Sequence, residues 1–176
     1  QVNYSWHLSL SANTLLSNSV DSGWRLHLLS HTGQPSRSWD GRGHVLQREY
    51  DGLDRLVAVT EMAGDQAPAT VERLRYGLGN AESAVHNQCG QLVRQDDHAG
   101  SQSTSDFGLT GLPIVQARRF TRSLADPDWP PDEGEREAML EALPATTRWT
   151  CNALSEVVQL IDCRENIRRN VHDLNG

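Results

Sequence analysis

The sequence predicts a mainly β chain of serial antiparallel hairpins with one short helix near residues 132–143, and three observations carry that reading. A turn pattern recurs: an aromatic or apolar residue, then Asp or Asn, two variable residues, then Gly. Its first positions fall at 29, 39 and 50, at 86, 96 and 107, and at 151, 161 and 172, stepping 10 and then 11 residues each time. A period that short holds one strand and one turn. Segments between the turns alternate apolar and polar residues. A single stretch, Asp126-Pro127-Asp128-Trp129-Pro130-Pro131 with the acidic, helix-forming residues after it, breaks the pattern.

The turn has a physical basis. An Asp or Asn at the corner accepts a hydrogen bond from the backbone two residues on, and a Gly three residues later takes the left-handed conformation that returns the chain as a type I turn with a bulge. Asp40, Asp51, Asn87, Asp97, Asn152, Asp162 and Asp173 fill the corner; Gly33, Gly43, Gly90, Gly100, Gly111 and Gly176 fill the return. Trp39 and Tyr50 are the aromatic residues that end their strands, where Leu29, His86, Asp96, Ile161 and His172 stand in other copies. Asp54, Ser155 and Glu165 replace the glycine, and Asp tolerates the left-handed region far better than Glu.

In chain order, residues 1–23 are Ser- and Asn-rich and read as an extended lead-in to a repeat region over 24–176. Strands are expected at 24–29, 45–50 and 55–60, from alternation and β-branched content. Residues 61–70 read as a loop. Strands resume at 71–76, 91–94 and 114–120. The Pro-rich acidic insertion at 126–146 carries the helix, with acids in its first turn and Pro144 as its stop. Strands return at 149–151 and at the apolar 157–161.

Composition excludes several classes. Of 176 residues 37% are hydrophobic, which is poor in core material, yet charge of both signs and strand-spaced apolar residues argue against disorder. A net charge of −7 argues against a nucleic-acid surface. There is no apolar run long enough to span a membrane as a helix, and no signal-peptide pattern. A first residue other than Met and a last residue inside a turn read as a fragment of a longer chain. Cys89, Cys151 and Cys163 fit no zinc spacing and read as reduced, strand-packed residues, with a Cys151–Cys163 bridge as the alternative.

With these residues laid out, the chain resembles the Rhs/YD-repeat family, and within it the C component of bacterial insecticidal toxin complexes. The likeness rests on Gly23-Trp24-Arg25-Leu26, Trp39-Asp40-Gly41-Arg42-Gly43, Tyr50-Asp51 with Arg55, Gly90-Gln91-Leu92-Val93-Arg94, Asp97-His98-Ala99-Gly100, Leu109-Thr110-Gly111, and Arg118-Arg119-Phe120 before Asp128-Trp129-Pro130. The resemblance implies part of a curved shell wall that encloses a C-terminal toxic domain. It implies other repeat segments of the same shell, a toxin-complex B component and the enclosed cargo as partners, in a secreted or cell-associated complex. No segment here matches the family's core cleavage segment or a toxin domain, so no enzymatic activity, cofactor or metal is expected.

Residues that invite chemistry have simpler readings. His27 and His31 stand four apart on strand and turn, where they do not share a helix face. Asp126, Asp128, Asp132, Glu133 and Glu135 read as a solvated linker rather than paired catalytic carboxylates. Two other functions stay open: a cell-surface glycan- or receptor-binding module using Trp24, Trp39, Tyr50 and Tyr76, and part of an autoproteolytic toxin with Asp126-Pro127 as the candidate bond. A repeat segment cut from its neighbours leaves open strand edges, which predicts aggregation or protease sensitivity.

Overall fold

The computed structural model describes residues 3–172, so Asp173 and Gly176 lie outside the described residues. Within that range are thirteen strands and two short helices, and hydrogen-bonded neighbours follow chain order. The strands are β1 (Tyr4–Leu8), β2 (Thr14–Ser19), β3 (Gly23–Leu29), β4 (Pro35–Asp40), β5 (His44–Tyr50), β6 (Leu56–Ala63) and β7 (Ala69–Tyr76). After helix α1 (Ala81–Val85) come β8 (Leu92–Asp97), β9 (Gly100–Phe107) and β10 (Pro113–Phe120). Helix α2 (Glu133–Ala138) is followed by β11 (Ala145–Cys151), β12 (Val157–Ile161) and β13 (Ile167–Arg169). The mainly β architecture of successive antiparallel hairpins is the one that turn spacing and alternation predict.

The chain divides into two compact units. The first ends at Arg73 and includes Pro127–Trp129; the second takes Leu74–Asp126 and resumes at Pro130. In the first unit Ala58, Val59, Val71 and Trp129 are buried, and Trp129 is fully so. Its burial has a backbone anchor: Trp129 N donates to Thr70 O at 2.8 Å, Arg73 Nε donates to Trp129 O at 2.7 Å, and Thr70 N donates to Asp128 Oδ1 at 2.8 Å. In the second unit Val93, Phe107 and Leu140 form the apolar core.

Several elements depart from the sequence reading. The stretch before residue 24 is a hairpin, β1–β2, closed at Ala12, whose φ is 63°. Only 64–68 lie outside β6 and β7, so the 61–70 loop is shorter than expected. The segments β4, β9 and β13 are too polar for alternation to mark them, and in β9 the buried residues include Ser101 and Thr104. Helix α1 is only five residues long and shows no period; its cap is Asn80, whose side chain accepts from Ser83 N at 2.9 Å. Helix α2 stops at Ala138, short of the expected 143, because the next residues bond elsewhere. Arg122 N donates to Met139 O and Glu141 N donates to Phe120 O, both at 2.9 Å, which draws the chain out of the helix.

Candidate functional site

The repeat shows itself as one hairpin closure. Leu8 pairs with Thr14, Leu29 with Pro35, Trp39 with Val45, Tyr50 with Leu56, Phe107 with Pro113, Cys151 with Val157 and Ile161 with Ile167, a separation of six residues in every case. Asp51 shows how the copies with a corner Asp or Asn are built. Its Oδ1 accepts from Leu53 N at 2.9 Å and Arg55 N at 3.0 Å, its carbonyl accepts from Asp54 N at 3.0 Å, and Arg55 pairs with Oδ2. Asp40, Asn152 and Asp162 use one side-chain oxygen in the same way, on the backbone N–H groups two and four residues on. These donors hold the corner carboxylates below their ordinary pKa: the Arg55 side chain foremost at Asp51, the Asn166 side chain at Asp162 and the His44 N–H at Asp40.

The return position is left-handed whether or not it is glycine. Gly33, Gly43 and Gly111 have φ of 81°, 82° and 79°; Asp54, Ser155 and Glu165 have 57°, 65° and 62°. Ala12 occupies the same place in the first hairpin, a copy that lacks both the Asp and the Gly that would mark it.

Two copies in the middle of the chain are built otherwise. Asn87 is not an Asp-type corner: it follows α1 with φ 52°, its N–H donates to Ala84 O, and its side chain donates to Phe107 O at 2.9 Å. Gly90, left-handed at φ 74°, donates to Gly77 O rather than back to Asn87. Asp97 pairs directly with Gly100, leaving a two-residue turn in which Ala99 N donates to Asp97 Oδ1 at 2.8 Å. At Gly100 a Cβ would collide with the carbonyl oxygen of Arg119, so glycine is required there by close approach as well as by φ.

Beside these copies lies a buried charge cluster that the turn pattern does not mark. Asp96, 1% exposed, accepts from Arg94 Nε at 2.8 Å and pairs with Arg136 Nε at 2.9 Å. Arg94 also reaches Glu133 and Glu137, and Glu137 pairs with Arg119. Burial alone would raise the Glu137 pKa, but the Arg119 and Arg94 hydrogen bonds outweigh it and hold the carboxyl below its ordinary value. At Arg94 burial is likewise overcome, chiefly by Asp96, and the guanidinium is held charged. Arg136 also donates to the carbonyls of Pro130 and Pro131, at 2.9 and 2.6 Å. The cluster locks α2 onto β8. One signal was available in the sequence: Asp96 fills the apolar strand-end slot of its copy, and a charge there needs a partner.

The acidic insertion is therefore not a solvated linker. Asp128 holds Thr70, Asp132 caps α2 by accepting from Glu135 N at 2.9 Å, and Glu133 pairs with Arg75 and Arg94. Nor are the cysteines uniformly strand-packed; Cys89 is exposed in an isolated bridge to Gly77, Cys163 is an exposed turn residue, Cys151 ends β11, and all three are free thiols. His27 bonds Ser38 and His31 lies 3.9 Å from Asp54, so the two do not converge. Among the described residues no group of three or more His, Cys, Asp or Glu side chains could hold a metal ion, and no helix is long and apolar enough to cross a membrane.

Comparison with known proteins decides the kind of chain this is. It is 28% identical over 181 residues to toxin subunit YenC1 of Yersinia entomophaga and 27% identical over 197 residues to YenC2 of the same organism, each match covering 99% of the chain. The TcdB2-TccC3 crystal structure superposes with a TM-score of 0.91 over 96% of the chain, and the Photorhabdus luminescens Tc holotoxin pore with 0.94 over all of it, both at 27% identity. Along its length the chain is similar, in sequence and in fold, to a segment of these toxin subunits. No protein-family model matches it. The repeat segment spans 18% and 20% of the two toxin subunits and 8% of each structural relative's chain.

Proposed function

We propose that this repeat segment is wall: part of an Rhs-repeat shell that encapsulates a C-terminal toxic domain in a toxin-complex C component. The observation that supports it is the serial six-residue hairpin closure in chain order, matched along the chain by the TcdB2-TccC3 structure. Its role in this reading is structural, with catalysis lying elsewhere in the parent protein. The turn residues Trp39, Asp40, Gly43, Tyr50, Asp51, Asn152 and Asp162 would set hairpin spacing, while Asn87, Gly90, Asp97, Gly100 and Gly111 would shape the middle copies. Neighbouring repeat segments, a B component and the enclosed cargo are the proposed partners, within a secreted or cell-associated complex.

Aromatic placement favours wall over a glycan-stacking face. The Tyr50 hydroxyl donates to Pro35 O at 2.9 Å, Trp39 carries Arg37 at 5.3 Å from its ring centroid, and Trp24 lies against Gly41, so these rings serve their own hairpins. Limited proteolysis of the full-length protein tests the reading. The C-terminal region should resist digestion in the intact protein and become sensitive when residues 24–73 are deleted. Equal digestion in both would overturn it.

A further inference from the structure

Strand register brings a set of cationic residues to one face of the first unit. Arg25 pairs with Asp40 and His27 with Ser38 across β3 and β4, and Ser38 pairs with Leu46 of β5. Directly paired residues share a sheet face, as do residues two apart on one strand, so Arg48 joins them. These side chains line a concavity of about 290 Å³. The Ser38 hydroxyl, buried, accepts from Arg48 Nη1 at 2.9 Å and lies 3.0 Å from His27 Nδ1.

The concavity holds one carboxylate, Asp40, against the two guanidiniums of Arg25 and Arg48. Among the described residues no carboxylate stands within ion-pair distance of Arg25 or Arg48. The Asp40 carboxylate accepts from the Arg42 and His44 backbone N–H groups, and His44 pairs with Glu61 at 3.1 Å. Burial first, then the positive charges of Arg48 and Arg25, depress the His27 pKa.

We propose that this concavity binds an oxyanion, the phosphate or carboxylate of a monosaccharide-sized solute, held by Arg25, Arg48 and His27. Two guanidiniums supply the planar donors that match such a group, and the volume with Leu46 in its wall accommodates a ring beyond the anion itself. The bound charge offsets the cations beside His27 and favours its protonation, so binding takes up a proton and strengthens as pH falls from neutrality towards the depressed His27 value. The site is independent of the wall reading, because it needs only the register of β3, β4 and β5.

The test is ethoxycarbonylation of His27 by diethyl pyrocarbonate in the full-length protein, followed by peptide mass spectrometry, with the exposed His31 as internal reference. Glucose 6-phosphate and glucuronate distinguish the two anion sources; glucose and KCl at matched ionic strength are controls. Saturable, several-fold slower modification of His27 alone, by either acid and by neither control, is the expected result, lost in Arg25→Gln and Arg48→Gln but kept in Arg42→Gln. Protection by KCl or glucose, protection that survives Arg25→Gln, or no protection by either acid would overturn it.

Discussion

The hairpins closed at Asp40 and Asp51 and the copies at Asn87 and Asp97 solve the same problem by different means. In the first pair one carboxylate oxygen satisfies two backbone N–H groups within its own turn, and the chain returns through a left-handed residue, Gly43 or Asp54, with open space around Gly43. In the second pair the partners are distant: Asn87 reaches Phe107 O, Gly100 fits under the Arg119 backbone, and Asp97 is gripped by Arg118 of β10. Next to them sits Asp96 between two guanidiniums. A turn that closes on itself tolerates loss of one residue; a turn built from remote groups depends on all of them.

The largest effect should come from Asp96→Ala, which leaves the Arg94 and Arg136 charges buried with their shared acid gone. A loss of about 3–5 kcal/mol is expected by chemical denaturation. An effect no larger than that of Asp51→Ala would erase the contrast between the two regions. Next comes Gly100→Ala, at about 2–4 kcal/mol, from backbone strain plus collision. Gly43→Ala, strained in φ but unobstructed, should cost only about 1–2 kcal/mol. Equal melting shifts for the two glycines would show that close approach at Gly100 contributes nothing.

Asn152→Ala removes a corner oxygen that serves Leu154 N and Glu156 N, and should cost about 1 kcal/mol with the rest of the protein unaffected in hydrogen exchange. Glu165→Gly should do the reverse, raising stability by up to about 1 kcal/mol, because the left-handed conformation costs Glu more than Gly. The effect of pH is expected below neutrality. Folded-state pKa values of Glu137 and Asp97 lie below their unfolded ones, so the stability they contribute is present above the ordinary carboxylate range and is lost as pH falls through the folded values. Hydrogen exchange across α2 should therefore rise on acidification, before exchange in the Asn152 hairpin does.

Strand succession was legible because its signals are local. Alternation along 45–50 reports one covered face and the apolar run at 157–161 reports two, and a 10- or 11-residue step leaves room for one strand and one turn. The helix end was not legible: good helix formers continue to residue 143, and what stops α2 at Ala138 is backbone bonding to β10 and its end. Trp129 and Asp128 read as linker because nothing adjacent to them in sequence buries them; Thr70 and Arg73 do so from more than fifty residues away.

The amino-acid sequence alone determined the hairpin rhythm of this protein, since a corner Asp or Asn and a left-handed return act within five residues. Tertiary structure alone decided where that rhythm is interrupted and what secures the interruption. Burial of Asp96 against Arg94 and Arg136, the seat of Trp129 and the convergence of Arg25, His27 and Arg48 on one face all depend on register and packing between segments. Register sums many weak pairings along several strands, and no single residue encodes it.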